Sequence, residues 1–287
     1  MTACSRRRYR QCARILFPVV AIVFLCHACA GVAARPAGEH RVADKLNLVP
    51  TPRHIELTGK KWTLEGWDIV RPTDSPLVPA AVKEVNGRIE ELGGTPLYAA
   101  EAPSDGAAIF IGRWCDPHIR DVSMALDARL GPEDPGEQGY VIAFGKYGDE
   151  RAILLGGSDA VGTLYACVTF RRLLTRQGGD IVAREASVRD WPDFKIRCNG
   201  TLDFYRLRGT RFSGDNTAPL RRAVRQMKDQ VDFYLRQKVN VLRARGMFLQ
   251  TREDDRYRHL NRAIMEILRY ADSRGIDLRV LGGVDLA

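Results

Sequence analysis

At Trp191-Pro192 the pattern of this chain changes, and the change allows only a two-part fold. Before it, short strands alternate apolar and polar residues between turns. After it, Phe194-Lys195-Ile196-Arg197-Cys198 reads as a strand and a helix is predicted from about Leu220 to Gln237. A strand at Val239-Asn240-Val241-Leu242, a helix from about Tyr257 to Arg274 and a strand at Leu278-Arg279-Val280-Leu281 complete the series. Strand–helix–strand–helix–strand is the opening of a parallel α/β unit, because parallel neighbours need a crossover connection. A closed (β/α)8 barrel takes ~250 residues. From Lys195 only 93 remain (287 − 195 + 1). An incomplete (β/α)8 barrel is therefore expected over 191–287, with at most three strands and two helices.

The part before the change, 46–190, is expected to be an α+β domain, an antiparallel sheet with helices on one face. His54-Ile55-Glu56-Leu57 alternates as a strand and Trp67-Asp68-Ile69-Val70 reads as another. Pro79 introduces a helix from about Ala80 to Leu92, with Val82, Val85, Ile89 and Leu92 at helical period and Gly93-Gly94 closing it. Ala108-Ile109-Phe110-Ile111-Gly112 is apolar throughout, as a buried strand is. Tyr140–Phe144 and Ala152–Leu155 read as a hairpin across the polar turn Lys146–Glu150. Ser158 is predicted to cap a helix from about Asp159 to Leu174 with a buried stripe of Val161, Leu164, Tyr165 and Val168.

The first 34 residues belong to neither part. Arg6, Arg7, Arg8, Arg10 and Arg14 precede the apolar run Ile15–Leu25, and small residues follow from Ala28 to Ala34. A basic region, a short apolar core and an Ala-x-Ala site (Ala28-Cys29-Ala30 or Val32-Ala33-Ala34) describe a signal peptide, so export is expected. The core is short for a membrane span, which needs ~20 residues. An uncleaved anchor is the lesser reading, and Cys29 is a weak candidate for lipidation. Residues 35–45 read as a polar linker. Those five arginines also account for five of the nine formal positive charges, leaving about +4 for the rest. So mild a balance excludes a strong electrostatic footprint for nucleic acid. Beyond the signal, Cys115, Cys167 and Cys198 remain, an odd number without metal-site spacing. Cys167 reads as a small core residue on its helix. No metal or cofactor is implied.

Four motifs in order resemble glycoside hydrolase family 20, the β-N-acetylhexosaminidases. Val49-Pro50-Thr51-Pro52-Arg53 with Ile55-Glu56-Leu57 is similar to the first strand of that family's N-terminal domain. Gly136-Glu137-Gln138-Gly139-Tyr140-Val141-Ile142 is similar to its hairpin strand, and Ser158–Leu174 resembles its long helix. Asp190-Trp191-Pro192-Asp193-Phe194-Lys195-Ile196-Arg197 is similar to its junction into the first barrel strand. Similar leading domains occur in families 84 and 67. The resemblance implies an exported exo-glycosidase acting on a carbohydrate partner, a terminal N-acetylated sugar. A non-catalytic exported module that binds carbohydrate or protein is the other reading.

The family's reaction is substrate-assisted: the substrate's own acetamide attacks the anomeric carbon. A carboxylic acid must still protonate the leaving oxygen, and a neighbouring carboxylate must orient the acetamide. In the family these form an adjacent pair after the fourth barrel strand, so this chain is expected to lack them and to be inactive by itself. Asp254-Asp255 instead reads as a solvated helix start, where acids suit the helix dipole. The resemblance implies that Arg197 binds hydroxyls of the terminal sugar from the end of the first barrel strand. A guanidinium fork suits two adjacent hydroxyls. Cys198 replaces the glycine that usually follows, and Asp203, the second candidate, lies one residue later than the family's aspartate.

Overall fold

The computed structural model describes residues 48–72, 75–102, 106–213, 216–249 and 254–281. The expected signal peptide, the linker and Cys29 lie outside them. In the leading part, β1 (His54–Thr63) and β2 (Asp68–Val70) precede helix α1 (Val78–Glu91). Strands β3 (Tyr98–Ala100) and β4 (Ala108–Arg113) then lead to α2 (Pro117–Ala125). Strands β5 (Tyr140–Tyr147) and β6 (Glu150–Gly157), helix α3 (Ala160–Leu173), and strands β7 (Leu174–Gln177) and β8 (Asp180–Asp190) complete it.

The sheet order is β1-β8-β5-β6-β4-β2-β3, with β7 on β8. The expected antiparallel sheet is corrected here to a mixed one. β1, β8, β5 and β6 pair antiparallel, whereas β6, β4, β2 and β3 pair parallel. The parallel half exists because α1 acts as a crossover between β2 and β3, which a hairpin turn cannot do. The expectation of helices on one face is corrected too. Ile109 and Ile111 of β4 share a core with α1 and α3, while Ala108 and Phe110 point the other way, onto Ile119 and Val122 of α2. An all-apolar strand such as β4 buries both faces, and each needs a cover.

The second part runs β9 (Cys198–Asp203), α4 (Phe204–Gly209), α5 (Ala218–Arg236), β10 (Val241–Arg245), α6 (Asp255–Asp272) and β11 (Asp277–Leu281). Its three strands are all parallel, in the order β11-β10-β9. The first of them is not where alternation put it. Phe194 and Ile196 are 74% and 56% exposed, and pairing begins only at Cys198. One core runs through both parts: Leu164 and Phe170 of α3 belong with Leu202, Val231, Leu242 and Ile267. α3 is apolar almost all round, from Gly162 to Arg171, because it is enclosed on every side. Its cap is Asp159, not Ser158: the Asp159 carboxylate accepts the Gly162 N–H at 2.7 Å.

Candidate functional site

The parallel strands have two ends, and Arg197 and Asp203 stand at opposite ones. Six residues separate them along an extended chain, roughly 20 Å at ~3.3 Å per residue.

Arg197 precedes β9, at the entry end, so its expected place at the strand's exit is corrected. Its Nε donates to the Lys238 carbonyl at 2.7 Å and Nη1 to the Phe194 carbonyl at 2.6 Å. Nη2 donates to Gln138 Oε1 at 2.7 Å and to the Tyr165 hydroxyl at 2.8 Å. A guanidinium so occupied ties the leading domain to the parallel unit. Beside it, Lys238 follows the last turn of α5 with φ +55°, the left-handed position usually given to glycine. That conformation costs a non-glycine residue about 1–2 kcal/mol. The offset lies in its ammonium, which meets Asp190 Oδ2 at 2.9 Å and the Tyr140 hydroxyl at 2.6 Å, all three side chains being buried. Burial pushes the Tyr140 phenol well above its ordinary range, and the Asp190 charge adds to it. Tyr165 is raised by burial against the opposing pull of Arg197. The cavity enclosed here is about 140 Å³, below the ~300 Å³ at which ligand pockets begin. Chemically this is a junction.

At the exit end, Asp203 closes β9 and caps α4, its Oδ1 accepting the Tyr205 N–H at 3.1 Å. In register, Asp203 lies beside Arg245, and Thr201 beside Arg243, which in turn lies beside Arg279. In-register neighbours of a parallel sheet share a face, about 4.8 Å apart. Leu202, Leu242 and Ala244 take the opposite face and pack under the helices. The exposed face is therefore polar and arginine-rich. Arginines also lie over aromatic rings at this end: Arg245 over Tyr205 at 5.7 Å, Arg208 over Phe248 at 3.6 Å and Arg256 over Phe212 at 4.9 Å. Gly246 makes the first contact possible. Its φ is +70°, and a Cβ there would stand 2.7 Å from the Tyr205 ring.

Asp254 and Asp255 are spent as the sequence implied. Asp254 Oδ1 accepts the Tyr257 N–H at 2.9 Å, and Asp255 pairs with Arg258 at 2.7 Å. Among the described residues no cluster of three or more His, Cys, Asp or Glu could hold a metal. Cys167 is buried in the core, with its thiol pushed up by burial, and Cys115 and Cys198 are exposed and free. Sequence reasoning missed Lys238, Arg243 and Arg245. The signal for the two arginines was the alternation Val241-Leu242-Arg243-Ala244-Arg245, which puts both on one strand face.

Comparison with known proteins follows the same division. The family model of glycosyl hydrolase family 20, domain 2, matches residues 45–191. No curated protein matches the sequence. Among solved structures, the Vibrio harveyi exo-β-N-acetylglucosaminidase in complex with N-acetylglucosamine is 17% identical with a TM-score of 0.54, over 81% of this chain and 35% of its own. The Streptomyces plicatus N-acetyl-β-hexosaminidase is 18% identical with a TM-score of 0.52, over 83% of this chain and 45% of its own. CpGH84B is 17% identical with a TM-score of 0.53, over 80% and 36% respectively. The likeness is one of fold, and this chain spans less than half of each structure.

Proposed function

Because the chain belongs to glycosyl hydrolase family 20, we propose that it forms the leading domain and the first strands of the catalytic barrel of an exported β-N-acetylhexosaminidase-type glycosidase. Its substrate class would be carbohydrates ending in an N-acetylhexosamine. The observation that carries this reading is the division of labour along the parallel strands. Their entry ends are locked to the leading domain through Arg197 and Lys238, while their exit ends, where barrels hold their sites, present polar side chains. The complex of the Vibrio harveyi relative with N-acetylglucosamine supports a sugar ligand.

In this reading the junction residues position and the exit end binds. Hydrolysis needs an acid for the leaving oxygen and a second carboxylate for the acetamide. Asp203 is the carboxylate that the described strands bring to their exit ends, and its Oδ1 caps α4. We therefore expect the 287 residues alone to bind chitobiose weakly and not to hydrolyse a chromogenic N-acetyl-β-glucosaminide. Turnover that disappears in Asp203→Asn would overturn the inactivity, and failure to bind chitobiose would overturn the sugar reading. Export rests on the 1–34 signal pattern, and N-terminal sequencing of secreted material tests it. A non-catalytic binding module is the second reading, favoured by the family model, which matches the leading domain at residues 45–191. A protein partner captured while chitobiose is ignored would select it.

A further inference from the structure

We propose that the leading domain carries a second saccharide site, a groove where β2 and β3 begin, which takes a hexosamine with a free ammonium in place of the acetamide. That the ligand is a sugar rests on the carbohydrate reading above, and that it is a cation rests on the groove itself.

The groove holds about 410 Å³, within the ~300–1,000 Å³ of ligand pockets. Part of its lining is apolar, where Ile89 and Ile181 close over Gly94. A Cβ on Gly94 would stand 2.6 Å from Ile181 Cγ1 and 2.9 Å from Ile89 Cγ2. Tyr98 also lines the groove and is 72% exposed. Among the described residues of the leading domain it is the one Phe, Tyr or Trp left exposed. Its backbone is fixed from two sides. Tyr98 pairs in register with Asp68 of β2. Asn86 of α1 clamps the residue before it, accepting the Leu97 N–H at 2.9 Å and donating to the Leu97 carbonyl at 3.0 Å. A ring on so fixed a backbone meets a ligand at little cost in ordering.

The charge of the lining selects the ligand. Glu65, Asp68 and Asp180 line the groove, and among the described residues no Lys, Arg or His does. Bases on the adjoining turns are engaged elsewhere: Arg176 donates to the Leu92 carbonyl at 3.0 Å and Lys61 to Gln177 Oε1 at 2.8 Å. Acids alone would be an ordinary solvated surface. Around an apolar cavity with an aromatic face they suit a ring that is apolar on one side and rich in donors on its rim. A pyranose offers its C–H face to Tyr98 and its hydroxyls to the carboxylates. An ammonium on that ring adds attraction to the acids and to the aromatic face, which an acetamide does not.

Titration calorimetry of the full chain with the β-1,4-linked glucosamine dimer, with chitobiose and with pentalysine tests the proposal, at a pH where the amines are protonated. Two exposed charge contacts and one cation–π contact together correspond to about tenfold in affinity. The glucosamine dimer is therefore expected to bind about tenfold more weakly to Tyr98→Ala and to the double variant Glu65→Gln/Asp180→Asn than to the native chain. Chitobiose, read above as a ligand of the exit end, should bind all three proteins alike. No binding of the dimer, or binding unchanged in both variants, would overturn the groove, while retained chitobiose binding leaves the reading above in place. Chitobiose weakened in the same variants would overturn the cationic preference. Pentalysine displacing the dimer at equal concentration would make the groove a general cation contact and overturn the saccharide. Binding of neither sugar would overturn both readings.

Discussion

The two ends of the parallel strands carry similar residues to different effect. At the entry end Arg197 and Lys238 are held by carbonyls, Gln138, Tyr140, Tyr165 and Asp190. At the exit end Arg243 and Arg245 are exposed and make no ion pair among the described residues. The comparison separates charges that fold the molecule from charges left over for a ligand. A buried cation survives only when it is paired and hydrogen-bonded. An exposed, unpaired guanidinium contributes little to stability and keeps its donors for something else.

The sharpest way to break this comparison is Lys238→Met. It leaves Asp190 buried without its ion partner, and equilibrium denaturation is expected to show a loss of about 3–5 kcal/mol. Adding Asp190→Asn removes the orphaned charge and is expected to restore part of it. Arg197→Ala comes next, with about 1–3 kcal/mol lost with the four hydrogen bonds its guanidinium makes. Chitobiose affinity should be unchanged in that variant, whereas a sugar-binding Arg197 would lose it.

A smaller effect is expected at Tyr270 on α6. Its hydroxyl donates to Asp232 and accepts from Arg274. Burial and the Asp232 carboxylate raise it, against the pull of Arg274, from 10.0 to about 12. A folded value above the unfolded one means that the contribution is intact below pH 10 and fades as pH rises toward 12. The stability of the native chain should therefore fall across that window more steeply than that of Tyr270→Phe. Parallel slopes would contradict it. Smallest of all, Arg245→Gln is expected to shift stability by no more than about 0.5 kcal/mol, and a larger loss would mean that the exit end is structural as well.

Much of the fold was legible in the sequence, because α1, α3, α5 and α6 carry helical periodicity and lie within about two residues of where it places them. The failures have physical causes. β8 (Asp180–Asp190) was not read as a strand because two of its buried residues, Ala183 and Ala186, are small and charged residues interrupt the run. β9 was placed too early because Phe194-Lys195-Ile196 alternates, whereas Asn199 and Gly200 are poor strand formers and sit where the register with β10 shifts, between Cys198 and Thr201. That shift displaced the candidate site. It put Arg197 at the exit of a strand whose first residue is Cys198. Asp203 was recognised, but its arginine neighbours were not, since Arg245 reaches it by parallel pairing across 42 residues of sequence (245 − 203).

Titration of the isotope-labelled chain with chitobiose, followed through backbone amide shifts, tests the division between the two ends most directly. Shifts concentrated at residues 203–208 and 243–248, with Arg197, Gln138 and Lys238 unmoved, are expected. Shifts centred on Arg197 and Lys238 would contradict it, and would make the junction the binding site.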